Sequence, residues 1–79
     1  MPPRAKKNRL RESIAFGKRV RQLREAKGWT LEQLAETAGM NELQVGHIER
    51  GASDVKLSTI IKLARALGVT ASELLRSIR

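Results

Sequence analysis

Between Glu42 and Arg50 stand five side chains that could read the edge of a base pair or hold a phosphate: Glu42, Leu43, Gln44, His47 and Arg50. A glutamate accepts from cytosine N4, and an exposed leucine meets a thymine methyl. A histidine donates to guanine N7 or O6 or to phosphate, and an arginine reaches phosphate or guanine. Their spacing places them on one surface. Projected as a helix at about 100° per residue, Val45 and Ile48 turn toward a core. Leu43, His47 and Arg50 then fall on the opposite side, flanked by Gln44 and Gly46, with Glu42 near the N-terminal end. A glycine inside a helix costs about 1 kcal/mol relative to alanine, so Gly46 points to close approach by DNA or by a neighbouring helix. Taken singly, each of these residues is also what an ordinary solvated helix face carries. The grouping is what suggests recognition.

Such a face needs elements that hold it outward. Thr30 and Gln33 form a capping-box signature, and Asn41 and Gln44 repeat it eleven residues later. One helix must therefore end and another begin within Gly39 and Met40, with Gly39 suited to a left-handed C′ position. Two short helices so joined cross steeply, the arrangement by which small proteins lay a helix into the DNA major groove. Upstream, Ile14, Phe16, Gly17, Val20 and Leu23 recur at helical spacing from about Glu12 to Lys27, and Gly28 is the stop signal. The second helix covers about Leu31 to Ala38, with Leu34 and Ala35 inward. The third runs from about Glu42 to Arg50 and ends at Gly51. After a loop from Ala52 to Lys56, a fourth helix spans about Leu57 to Leu67. There Ile60, Leu63, Ala64 and Leu67 make an i, i+3, i+4, i+7 stripe closed by Gly68. Thr70 and Glu73 cap a last helix with Leu74, Leu75 and Ile78 on its apolar side. No alternating β pattern exists.

The chain has 79 residues and a net charge of +8. From Met1 to Lys27 ten basic residues face only Glu12 and Glu25, whereas the remainder is neutral overall. A one-sided positive field attracts polyanions. Residues 1–11 lack apolar periodicity and are expected to form a flexible basic arm in which Arg4, Lys6, Lys7, Arg9 and Arg11 contact the duplex; a solubilising tail is the alternative. Residues 12–79 form the domain. Lys18, Arg19 and Arg21, expected on the exposed face of the first helix, are weaker phosphate candidates. There is no cysteine and one histidine, so no disulfide or metal site is expected, and no cofactor. No apolar run approaches a membrane span, and the N-terminus lacks the h-region of a secretory signal; a cytoplasmic, nucleoid-associated protein is expected. The hydroxyls sit at helix ends or on helix faces without a histidine base, which argues against an enzyme. Only Trp29 and Phe16 could stack on bases, which argues against an RNA-binding protein.

The segment GWTLEQLAETAGMNELQVGHIERG and the later LSTIIKLARALGVTASELL resemble the Cro/C1-type, or xenobiotic-response-element, helix-turn-helix family of phage and bacterial regulators. The resemblance covers about Ile14 to Leu75. It implies an all-α, compact five-helix, lambda-repressor-like domain whose third helix reads the major groove. By matching positions it places base reading on Glu42, Leu43 and His47, with Gln44 nearby. Phosphate contacts are implied at Arg50 and expected at Lys56 and at the start of the second helix, Thr30 and Gln33. It also implies a structural ion pair between Arg24 and Glu49, and Trp29 as a core residue beside the second helix. Two positions depart from the pattern. Where the family commonly has glutamine just after the cap, this chain has Leu31; where it commonly has proline before the fourth helix, this chain has Val55.

One recognition helix reads only a few base pairs, so a homodimer on double-stranded DNA is expected, with half-sites about 34 Å apart. The expected interface is the C-terminal apolar edge, Leu74, Leu75 and Ile78, with Leu67 and Val69 as further members. Completion of the monomer core competes with this assignment and is favoured for Leu74. The leading function is a sequence-specific transcriptional regulator acting as a repressor. The alternative is an antitoxin of the same fold whose main partner is a toxin protein.

Overall fold

Thr30 and Gln33 show how the chain sets its helix boundaries. The Thr30 hydroxyl oxygen accepts from the Gln33 backbone N–H at 3.1 Å, and Gln33 Oε1 accepts from the Thr30 backbone N–H at 2.8 Å. Two donors that no helical carbonyl could satisfy are thereby paired, and the helix starts at Leu31. The computed structural model of the protein describes residues 11–52, 54–76 and 78. Five helices follow in order: α1 Arg11–Ala26, α2 Leu31–Ala38, α3 Glu42–Glu49, α4 Leu57–Leu67 and α5 Ala71–Leu74. No strand occurs among the described residues.

The breaks between helices are equally local. At the end of α2, Gly39 adopts φ 72°, and the following Met40 N–H donates to the Ala35 carbonyl at 2.8 Å. This left-handed residue turns the chain sharply enough for Asn41 to cap α3 at once. Asn41 Oδ1 accepts from the Gln44 N–H at 2.7 Å, but the reciprocal bond from the Gln44 side chain is not formed. Gln44 therefore keeps its amide for other partners. Gly51 ends the segment at φ 69°, and a Cβ there would lie 2.8 Å from Ile14 Cα. Both the backbone conformation and the approach of α1 exclude a side chain at that position.

A second complete capping box, Thr70 with Glu73, opens α5. Hydrogen bonds from the Thr70 backbone N–H and hydroxyl hold the Glu73 carboxyl below the usual carboxylate range, with lesser help from Arg76 and Arg19. A carboxyl depressed in the folded state stabilises fully above its unfolded value, and that contribution drains away as pH falls through the lower folded one. In an NMR titration Glu73 is expected to protonate below the ordinary glutamate range, and Thr70→Ala, which removes the hydroxyl but keeps the backbone N–H, should bring it part of the way back. An unchanged midpoint in the variant would contradict the cap as the cause.

Helix α3 packs against α1 and α2, α4 against α2 and α5, and α1 also reaches α4 and α5. Their apolar stripes meet in one core of Phe16, Val20, Leu34, Ala35, Ala38, Val45, Ile48, Leu63, Ala64, Leu67 and Leu74. Helix α1 begins one residue earlier than the periodicity suggests, so Arg11 is helical. Phe16 is buried, while Ile14 and Leu23 are half-buried. On α4 the buried stripe includes Thr59, and Ile60 stands at its edge. The last helix is a single turn; Leu75 caps it, and a turn rather than a helix carries the chain to Ile78.

Candidate nucleic-acid interface

Val45 and Ile48 anchor α3 inward, with 0% and 3% of their surfaces exposed. Glu42, Leu43, Gln44, His47 and Arg50 are all exposed on its other side. The helical period alone dictates this division, because two buried residues three apart fix the roll of a helix of eight residues. Leu43 is 69% exposed in the middle of that face. Gly46 is buried, because the Arg50 side chain folds back over it: a Cβ at Gly46 would sit 3.3 Å from Arg50 Nη1.

Two shallow hollows group these residues. One gathers Glu42, Leu43, Gly46 and Arg50 with Leu31 from the first turn of α2. The other gathers Gln44 with Asp54, Val55, Lys56 and Thr59 at the start of α4. Lys56 is the exposed N-cap residue of α4 and makes no side-chain capping bond. At the start of α2, the oxygens of Thr30 and Gln33 are taken up by the capping box, which leaves the hydroxyl proton and the side-chain NH₂ as donors. The starts of α2 and α4 thus flank the outward side of α3.

The far end of α3 is locked to α1. Arg24 Nε donates to Glu49 Oε2 at 2.7 Å and Nη2 donates to Oε1 at 3.0 Å, with side-chain exposures of only 12% and 6%. Arg24 Nη1 also donates to the Trp29 carbonyl at 2.7 Å. The guanidinium fork thereby ties α1, α3 and the entry to α2 at one point. The Glu49 carboxylate raises the pKa of Arg24 against the opposing effect of burial. Trp29 packs half-buried against the core, its ring covered by Lys27 with Nζ 5.1 Å from the centroid.

Several sequence expectations need correction. Leu74 has no exposed surface and Leu67 is 3% exposed, so both belong to the monomer core and neither can meet a partner. Leu74 is the last residue of α5, which packs on α4 and α1, whereas Leu75 and Ile78 follow it and stay half-buried. Arg19 is not on the open face of α1: it is half-buried, its Nε is shielded from solvent, and it lies close enough to Glu73 to influence that carboxyl. Arg21 is exposed but engaged with Glu25 at 3.0 Å, while Lys18 is exposed. Arg4, Lys6, Lys7 and Arg9 lie outside the described residues. Leu57, at 70% exposure, and Ile61, at 37%, form an exposed apolar pair on α4 outside the Ile60, Leu63, Ala64 and Leu67 stripe. Their i, i+4 spacing beside Ile60 was the available signal.

Among the described residues no helix is long and apolar enough to cross a membrane, and no three of His, Cys, Asp or Glu gather as a metal site. Two short helices joined at Gly39, the second outward-facing and held by a buried ion pair, define a helix-turn-helix DNA-binding module. Residues 20–74 match the helix-turn-helix family HTH_3, and the chain belongs to this Cro/C1-type family of transcriptional regulators. It is 41% identical over 66 residues to a hypothetical transcription factor of Neisseria meningitidis, covering 84% of this chain and 60% of that protein. It is 38% identical to the control protein C.BamHI of Bacillus amyloliquefaciens over 78% of both chains. The crystal structure of the restriction-modification controller C.AhdI from Aeromonas hydrophila superimposes with a TM-score of 0.80 at 43% identity, over 82% of this chain and 98% of that one. The chain spans only 28% of another relative, the Escherichia coli regulator SutR, at 40% identity.

Proposed function

We propose that this protein is a sequence-specific double-stranded DNA-binding regulator that acts as a homodimer on a two-fold operator and represses by occluding a promoter. The observation that carries this reading is the outward face of α3, where Glu42, Leu43, Gln44, His47 and Arg50 are exposed together while Val45 and Ile48 are buried. In this reading α3 enters the major groove. Glu42, Leu43, Gln44 and His47 meet base edges, and Arg50, Lys56, Thr30 and Gln33 hold phosphates on either side. The net charge of +8 speeds encounter with the duplex. Similarity to C.AhdI over nearly that whole controller favours control of a restriction-modification operon as its setting.

Selection of bound sequences from random duplex DNA tests the proposal directly. A recovered site with two-fold symmetry and half-sites about one helical turn apart is expected. Recovery of no preferred sequence would end this reading.

The dimer surface is assigned to Leu75 and Ile78, which line a groove with Phe16, Val55 and Ile60 whose lining also includes Glu12, Ser13 and Asp54. Ile78→Asp is expected to shift the sedimentation equilibrium toward monomer and to weaken operator binding in parallel. An unchanged sedimentation profile counts against the assignment. The N-terminal cations are assigned to phosphates. Each such contact contributes about 0.9 to the slope of log affinity against log salt, so deleting residues 2–10 should flatten the slope by up to about 3.6. An identical slope after deletion would show these residues idle.

A further inference from the structure

Only one group on the floor of the DNA major groove is apolar, the C5-methyl of a pyrimidine. The outward face of α3 carries an open, mostly apolar hollow with room for such a group. Leu31 from the first turn of α2 and Leu43 from the first turn of α3 form two of its walls, Gly46 lies at its floor and the Arg50 side chain flanks it. The lining is mostly carbon, and Leu43 is 69% exposed within an otherwise polar surface. A single exposed leucine is unremarkable on a protein surface. Two leucines from different helices converge on one hollow, beside the side chains proposed to read bases.

We propose that this notch receives the C5-methyl group of a pyrimidine, thymine or 5-methylcytosine, and so makes Leu31, Leu43 and Gly46 determinants of specificity. The inference rests on the proposed entry of α3 into the major groove and specifies what that helix reads. Glu42 and Arg50 bring opposite charges to the rim, so the mostly apolar lining, not net charge, favours a methyl over a phosphate inside the hollow, while the Glu42 carboxylate accepts from the exocyclic amine of a neighbouring cytosine or adenine. Gly46 matters for a steric reason. An alanine Cβ would lie in the floor and press on Arg50 Nη1 at 3.3 Å, displacing the guanidinium that bounds the notch.

The test uses the full chain and the duplex recovered by selection. Each thymine of that duplex is replaced singly by deoxyuridine, which removes the methyl and leaves every hydrogen-bonding group in place. One thymine per half-site is expected at which uracil weakens binding about fourfold, the worth of one buried methyl group. With Leu43→Ala, whose site is exposed so that folding is undisturbed, thymine and uracil at that position should bind alike. Leu31→Ala, checked for folding by circular dichroism, should shrink the same difference. At that position a gain of similar size for 5-methylcytosine over cytosine extends the ligand to both methylated pyrimidines. No gain, with the uracil penalty intact, confines it to thymine. Equal affinity for thymine and uracil at every position, in a protein that still prefers its site over bulk competitor, overturns the notch but leaves the proposed function standing. A uracil penalty undiminished by Leu43→Ala overturns it equally, and absence of preference for any duplex removes both readings.

Discussion

Gly17→Ala is expected to lower the melting temperature by about 15 °C, corresponding to a loss of about 3 kcal/mol in a domain of this size. Helix propensity alone predicts the opposite sign, because alanine in the interior of a helix gains about 1 kcal/mol over glycine. The difference lies in what a Cβ would meet. At Gly17 it would overlap the Ile48 carbonyl oxygen and stand 2.7 Å from the Glu49 carbonyl oxygen. Both are backbone atoms at the end of α3 and cannot rotate aside, so α1 and α3 must move apart, opening the core around Phe16 and Val20. Gly46→Ala provides the contrast. Its Cβ meets only the tip of the flexible Arg50 side chain, so stability should rise by about 0.5–1 kcal/mol. Thermal denaturation followed by circular dichroism checks both. A Gly17→Ala protein as stable as the parent would mean that the two helices do not approach as described.

Glu49→Ala should be of comparable severity, costing about 3 kcal/mol. The loss follows less from the missing attraction than from what is left behind. Arg24 has 12% of its side chain exposed and cannot discharge, so without Glu49 its cation remains poorly solvated and two of its three hydrogen bonds go unmade. A paired replacement by apolar residues of similar length, Arg24→Met with Glu49→Met, should recover much of the stability, because no charge is then stranded. Urea denaturation of the two single variants and the double variant measures the coupling. If the single variant Glu49→Ala unfolds at the parent's midpoint, the pair is ornamental. DNA affinity should fall with Glu49→Ala even under conditions where the domain stays folded, since the fork also grips the Trp29 carbonyl at the entry to α2. Without Glu49 the fork still reaches Trp29 but no longer ties it to α3, which loosens the angle between the two helices of the module.

Much of the fold was legible because its signals are local. Capping boxes at Thr30 and Thr70 and the left-handed turn at Gly39 depend on residues within three or four positions of one another. The roll of α3 was legible for the same reason, Val45 and Ile48 being enough to orient a short helix. The Arg24–Glu49 pair spans 25 residues and came from family resemblance, since no periodicity connects the two positions. Leu74, Leu75 and Ile78 show where a helical pattern misled: it assumed continued helix, but the chain turns after Leu74, and only that residue is driven fully into the core.

The linear chain by itself determined the capped starts of α2, α3 and α5, the outward stripe of α3 and the concentration of positive charge in the first 27 residues, because capping, helical period and charge count act over a few bonds. Tertiary structure alone decided that Leu31 stands beside Leu43, that Arg19 is half-covered, that Gly17 receives the carbonyls of α3 and that Leu57 and Ile61 remain uncovered. Each of these depends on the angle and distance at which separate helices meet. Those are set by the packing of side chains remote in sequence, which pattern along one strand of residues does not encode.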